Sequence, residues 1–301
     1  MTPEEFQTML AGRQPGFSPR SVVPIGVGEF CHAFLVDGLD VYRVARHEEA
    51  GRALQREACV LGRIAGSLEL SIPDPIEVNV EAHPGYVSHR LVEGTEVTRE
   101  GYERLTSMRR REAATAVGRF LRQLHGIDRS IVEVCRLEVI DAAILRDRVA
   151  SLALTTLAQL GEPSRTFAAQ VLAQSVLTPP EPVLLHGDLS PEHVLADADG
   201  TVTGVIDFGD IAVGDPAWDF VYLYADYGVE FLEIAVHAYK PASLPNFVDR
   251  LFRLYELDLV EWVLEAIDED NDDATEALRA LNELAAQHLD RLAELVDALR
   301  M

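Results

Sequence analysis

The chain has 301 residues, enough for two domains and a sizeable core, and 48% of them are hydrophobic, which excludes a disordered protein. Lys and Arg total 26 against 50 Asp and Glu, a formal charge of −24 that repels nucleic-acid phosphate and anionic membranes and attracts cations, although acidity of this kind often serves solubility alone. The 3 cysteines, Cys31, Cys59 and Cys135, match no zinc spacing and no disulfide framework, so reduced thiols are expected.

The start, Met1-Thr2-Pro3-Glu4-Glu5-Phe6, has neither a basic nor an apolar signal region, and no apolar run approaches the roughly 18 residues of a membrane span. A cytoplasmic monomer is expected, with neither nucleic acid nor membrane as a partner. In chain order, Ser21–Ile25 and Ala33–Val36 read as strands around a glycine turn, Gly26-Val27-Gly28. Asp37-Gly38 signals a hairpin leading into a strand over Val41–Ala45. Glu48–Ala65 reads as a helix with a face of Ala53, Cys59/Val60 and Ile64 widened by Leu54, Ala58 and Leu61, Pro73 and Pro75 end that unit, and Gly85–Leu91 is the next strand. From Gly94 the pattern turns helical, with helices predicted over Arg110–His125, Ile140–Leu160 and Ser164–Leu177. Pro179-Pro180-Glu181-Pro182 then breaks the chain before a buried strand, Val183–Leu185. A hairpin through Asp199-Gly200 leads into Val202–Ile206, and almost everything beyond Asp215-Pro216 reads as helix, with an acidic run over Asp268–Asp273. The fold class expected is α+β: a small antiparallel-sheet lobe over residues 1–93 and a larger, mainly helical lobe over 94–301, hinged at Leu91-Val92-Glu93-Gly94. A nucleotide between the lobes would bond to backbone groups near Arg90 and Val92.

Two segments carry the chemistry: His186-Gly187-Asp188-Leu189-Ser190-Pro191-Glu192-His193, and Val205-Ile206-Asp207-Phe208-Gly209-Asp210. Phosphoryl transfer needs one carboxylate to orient a hydroxyl and accept its proton, and another to hold the Mg²⁺ that bridges the nucleotide phosphates. Asp188 fits the first role and Asp207 the second. A single turn Asp is ordinarily an Asx-turn or cap, and the order and spacing of His186, Asp188, His193 and Asp207 shift that balance. His193 is either a weak ligand of Mg²⁺, which prefers oxygen, or a hydrogen-bonded anchor. Asp215 and Asp219 read as caps and braces for the helix that follows. Gly26 and Gly28 would let backbone N–H groups approach phosphates. Arg43, or Arg46 in the other register, would meet phosphate with Glu57 as its partner.

Together these residues resemble the aminoglycoside phosphotransferase family, whose fold is like that of protein kinases. The resemblance runs from Gly26 to Phe220 and is strongest over His186–Asp219. His193 is similar to the residue found in aminoglycoside 2''- and macrolide 2'-phosphotransferases, while Ile25–Cys31 and Tyr227-Gly228-Val229-Glu230-Phe231 look closer to the 2''-type. Cys31 departs from the third glycine of the phosphate loop, and Arg43 from the commoner Lys. The resemblance implies ATP or GTP as donor, Mg²⁺ as cofactor, and a cationic aminoglycoside as acceptor. It implies Asp188 as catalytic base, Asp207 as principal metal ligand with His193 in the second ligand's place, and Ser190, Glu192, Asp226, Glu230, Trp262 and Glu265 as substrate contacts. A macrolide or other small-molecule kinase, and a non-catalytic binding protein of the same fold, are the alternatives.

Overall fold

The computed structural model describes residues 1–28, 30–174, 181–269 and 275–284. It opens with a helix that the reading above left out, α1 (Pro3–Arg13), whose start is fixed by a capping box between Thr2 and Glu5 with Pro3 in the first turn. The first sheet contains β1 (Val22–Val27), β2 (Cys31–Val36), β3 (Asp40–Ala45), β4 (Pro75–Asn79) and β5 (Tyr86–Arg90), and α2 (Glu48–Ile64) lies between β3 and β4. The strands pair antiparallel in the order β1-β2-β3-β5-β4. Gly26 and Val27 belong to β1, so the expected glycine turn starts at Gly28, two residues later than read. β4 begins at Pro75, on an edge where the missing N–H leaves no ladder bond unmade.

Alternation sorts this sheet into two faces. Phe34, Val36, Tyr42, Val44 and Tyr86 pack under α1, with Phe6 stacked on Phe34 at 4.4 Å between ring centres. Cys31, Ala45 and Val87 pack with Ala50, Leu54 and Ala58 of α2. Arg43 has the parity of the second set, so it points toward α2; Arg46 lies beyond the strand, on the surface. That settles the register in favour of Arg43.

The helical part comprises α3 (Arg99–Arg104), α4 (Ser107–Leu124), α5 (Ser130–Cys135), α6 (Ala142–Thr156) and α7 (Ser164–Ala173), then, after the short strands described below, α8 (Val221–Tyr227), α9 (Val229–Tyr239) and α10 (Leu244–Asp268). α6 starts two residues later than predicted because Val139 and Ile140 join a strand instead: the Ile140 N–H donates to Val213 O at 2.7 Å. α4 lies against α9 at Gly118, where a Cβ would sit 2.2 Å from Ala235 O, so only glycine permits this approach. Val60, Leu61, Ile64 and Ile72 belong to the same core as these helices, so α2 is shared between the sheet and the helical lobe. β6 (Thr95–Glu96) pairs with β8 (Val194–Ala196), which pairs with β9 (Val202–Val205). β7 (Val183–Leu185) pairs with β10 (Ala212–Gly214).

The cysteines correct the expectation of reduced thiols. Cys59 of α2 and Cys135 at the end of α5 form a disulfide across a sequence separation of 76, and only Cys31 is free. Packing of α5 on α2 brings their Cα atoms within 5.6 Å, a proximity no spacing in the sequence announces. Closing a loop of that length constrains the unfolded chain by roughly 4 kcal/mol in the chain-entropy account. No helix among the described residues is long and apolar enough to cross a membrane. Glu29, Pro179, Pro180 and the run Asp270-Asn271-Asp272-Asp273 lie outside the described residues, as does the predicted end of the helix read to Leu177.

Candidate active site

β7 and β10 place two turns side by side. Leu185 pairs with Ala212, so the turn leaving β7 at His186 lies beside the Asp207–Ile211 turn entering β10. Gly187 has φ +92°, and a Cβ there would meet Asp210 O at 2.1 Å, so the two turns touch backbone to backbone only because this residue is glycine. Buried His186 ties them further. Its Nε2 lies 3.0 Å from Ile206 O, so it carries the proton and donates, while Nδ1 accepts the Asp188 N–H. Burial lowers the pKa of this ring.

Asp219 plays a larger part than the helix brace expected of it. Its carboxylate accepts the N–H of His186 at 2.8 Å and of Gly187 at 2.9 Å, and lies 3.0 Å from His125 Nε2. The Trp218 indole N–H donates to Gly187 O. Burial alone would raise the Asp219 carboxyl, but its bond to His125, with the histidine charges and the Gly187 N–H, outweighs that and holds it low. Asp215 does brace the following segment, accepting from Ala217 N–H and from Arg250 Nε at 2.6 Å.

On this scaffold Asp188 and Asp207 converge through His193. The ring places Nδ1 3.8 Å from Asp188 Oδ2 and Nε2 3.7 Å from Asp207 Oδ2. Burial raises the Asp188 carboxyl, and nearby Asp207 and Glu192 add to the effect against His193. For Asp207 burial also acts upward, but Arg43 and the two histidines outweigh it and hold the carboxyl below its usual range. Arg43 bridges two acids: Nη1 donates to Glu57 at 2.5 Å and Nη2 to Asp207 Oδ1 at 3.0 Å. Glu57 is buried, which pushes its carboxyl up, while Arg43 pulls it back toward the ionised form. Arg46 instead donates to Gly28 O at 2.7 Å and steadies the glycine loop from outside.

A cavity of about 620 Å³ opens beside these groups, lined among others by Gly26, Gly28, Arg43, Glu57, Glu192 and Asp207. Free Cys31 also lines it, its thiol pushed up to about 11 by burial. Arg90 turns to Asp40, and Val92 is buried against Gly204; neither lines this cavity. The donor set suits a magnesium ion. His193 Nδ1 lies 2.6 Å from the Asp188 carbonyl, an acceptor only, so Nδ1 carries the proton of the neutral ring. Nε2 then presents a lone pair toward the Asp207 carboxylate, an arrangement that a cation between them would stabilise. Among the described residues no group of three or more His, Cys, Asp or Glu is placed to hold a metal ion by itself. Mg²⁺ commonly takes one or two protein groups and completes its shell with phosphate oxygens and water.

Of the residues read as substrate contacts, Ser190 bonds to His193 Nδ1 at 3.2 Å, and Asp226 has its carboxyl raised by burial, against the charge of Arg99 and with those of Glu192 and Asp188. Glu230 lies 3.6 Å from Arg110 instead, Glu265 belongs with Glu261 and Arg148, and Trp262 is partly exposed on α10. Two residues escaped the sequence reading. Tyr222 of α8 donates to Asp258 of α10 at 3.2 Å, and both feel the charge of Asp188. Burial pushes the Asp258 carboxyl up to about 7, aided by Glu261, Asp188 and Glu265 and opposed by the Tyr222 hydroxyl. Nothing local marks Asp258, because only the crossing of α10 over α8 brings it to Tyr222.

The family model described as the phosphotransferase enzyme family matches residues 32–257. The chain belongs to that family. The fold is similar to that of the GDP complex of wild-type aminoglycoside 2'-phosphotransferase-IIIa, with a TM-score of 0.87 at 24% identity over 96% of this chain and 100% of that one. A GDP and kanamycin complex of APH(2'')-IIIa gives 0.83 at 25% identity, covering 94% and 99%. Macrolide 2'-phosphotransferase MphH from Brachybacterium faecium gives 0.71 at 21%, covering 93% and 97%. The protein YcbJ of Bacillus subtilis (strain 168) is 25% identical over 159 residues, which are 50% of this chain and 52% of that protein, so the chain spans about half the length of this curated relative.

Proposed function

We propose that the protein is a small-molecule kinase that transfers the γ-phosphoryl group of ATP or GTP to a hydroxyl of an aminoglycoside. The observation that carries this reading is the convergence of Asp188 and Asp207 through His193, with Asp207 itself on the cavity wall. Asp188 orients the acceptor hydroxyl and takes its proton; its raised carboxyl makes it a stronger base. Asp207 and His193 would hold Mg²⁺, which would supply charge neutralisation at the phosphates. Gly26 and Gly28 lend backbone N–H groups to the phosphates, and Arg43, aimed by Glu57, adds a guanidinium. The nucleotides and kanamycin named for the similar structures support these assignments.

On the acceptor side we assign the ammonium groups to Ser190, Glu192, Asp226 and Asp258: besides burial, the charge of Glu192 raises the Asp188 carboxyl, and that of Asp188 raises Asp226 and Asp258. Asp226→Asn should raise KM for a cationic acceptor about tenfold or more, the worth of a charged hydrogen bond. Glu230→Gln should change it less than about fivefold, because Glu230 is exposed and already paired with Arg110. Steady-state kinetics on both variants checks this order, and a larger effect from Glu230 would reverse the assignment.

Asp258 gives a pH signature. Its carboxyl is neutral below about 7 and charged above it, so KM for the cation should fall as pH rises through neutrality. Asp258→Asn should flatten that dependence. The folded form keeps a proton that the unfolded chain has already released, so this group's stability contribution declines as pH rises from the ordinary carboxylate range to about 7 and is level beyond. A wild-type-like slope in the variant would remove Asp258 from the acceptor site. A panel of aminoglycosides and macrolides with ATP and GTP, read by product mass, tests the function itself. Transfer to macrolides alone would replace the acceptor, and nucleotide binding without product would leave a binding protein.

A further inference from the structure

The disulfide between Cys59 and Cys135 joins the two halves of the candidate site. Cys59 lies two residues beyond Glu57 on α2, and Glu57 aims Arg43, whose other arm holds Asp207. Cys135 ends α5, and the chain after it runs directly onto β10: the Val213 N–H donates to Glu138 O at 2.9 Å, and the Ile140 N–H to Val213 O. β10 follows the Asp207–Ile211 turn and pairs with β7, which leads into His186 and Asp188. The covalent link therefore runs from the helix that carries Glu57 to the strand pair that carries both turns. One ion pair crosses the same seam, Arg56 to Glu138 at 3.1 Å, and it is partly exposed.

The bond is also placed for exchange. Cys135 is buried, whereas Cys59 is only partly so. The guanidinium of Arg63 lies 3.2 Å from Cys59 Sγ, a positive charge where a thiolate would form. We propose that Cys59 and Cys135 form a thiol–disulfide exchange site for small-molecule thiols and disulfides, and that its state sets the grip of α2, through Glu57 and Arg43, on the nucleotide cleft. This control of the nucleotide site rests on the kinase reading above; the exchange chemistry does not. Oxidation starts with the Cys59 thiolate attacking a small-molecule disulfide, which releases one thiolate and leaves a mixed disulfide on Cys59. The Cys135 thiolate then attacks Cys59 Sγ and releases the second, and the two protons lost by the cysteines are taken up by the two leaving thiolates. Reduction is the reverse: a small-molecule thiolate attacks the accessible Cys59 Sγ, Cys135 leaves, and a second thiol completes the exchange. Disulfides of reducing compartments are characteristically of this transient, sensing kind.

The test uses the full chain equilibrated with oxidised or reduced glutathione. Alkylation and intact mass report pairing, calorimetry with Mg²⁺–ADP reports the nucleotide site, and hydrogen exchange reports α2. Expected are full pairing in excess disulfide, ready opening in excess thiol, faster amide exchange in α2 on reduction, and an ADP Kd raised at least about fivefold, the lower end of coupling between distinct sites. Cys59→Ser and Cys135→Ser should match the reduced protein in both buffers, while wild-type protein shuttled between buffers requires no variant to fold. Cysteines 59 and 135 that stay alkylatable in excess disulfide, or α2 exchange and ADP affinity that ignore the redox state, overturn the proposal. Absence of ADP binding in both states would instead sink the kinase reading, and the α2 exchange would still judge the disulfide's hold on α2.

Discussion

Asp188→Ala should lower kcat by about 10²–10⁴-fold, the range a positioned general base supplies, while leaving nucleotide affinity close to wild type. The fold should survive, because Asp188 supports its turn through the backbone. Its carbonyl accepts from the His193 ring and from Ser190 N–H, and its N–H donates to His186 Nδ1. All three bonds remain in alanine. The carboxylate itself is half-buried among the like charges of Asp207 and Glu192, so its removal relieves repulsion, and the thermal midpoint should be unchanged or higher. Single-turnover kinetics and a melting curve on the same preparation check both halves. Near-normal turnover would refute the assignment of the base, and a collapsed midpoint would give the residue a structural role instead.

Asp207→Asn should weaken Mg²⁺-dependent nucleotide binding about 10–100-fold, the worth of charged hydrogen bonds in a partly buried site. Asparagine is the informative replacement. Asp207 has φ +60°, a left-handed conformation that asparagine tolerates and that alanine adopts only at a cost of about 1–2 kcal/mol. An alanine variant would mix backbone strain with lost charge. The substitution also removes the charge that holds one arm of Arg43, so nucleotide binding measured without magnesium separates the guanidinium's part from the metal's. Calorimetry with and without Mg²⁺ checks this, and equal loss under both conditions would count against Asp207 as a metal ligand.

The contiguous parts of the site were legible in the sequence. His186–His193 and Val205–Asp210 are short stretches whose spacing is the geometry, since a turn between two strands leaves little freedom for where Asp188 and Asp207 can point. The order of lobes was equally readable, because hydrophobic period changes from two to about 3.6 near Gly94. α1 was missed although Thr2-Pro3-Glu4-Glu5 carries its capping signal, since its apolar face is only Phe6 and Leu10. β4 was missed because proline at its start reads as an ending.

What a chain settles by itself is whatever its neighbours along the backbone impose: the two acidic turns and the helix caps, whereas the choice between Arg43 and Arg46 waited for the strand pairing of β3. Tertiary structure alone decided which distant groups meet. Asp219 reaches back across 33 residues to clasp the turn at His186, Asp258 arrives on α10, and Cys59 finds Cys135 because two helices pack. These pairings are enforced by burial of apolar faces far from the polar groups concerned, so no spacing among the polar residues records them.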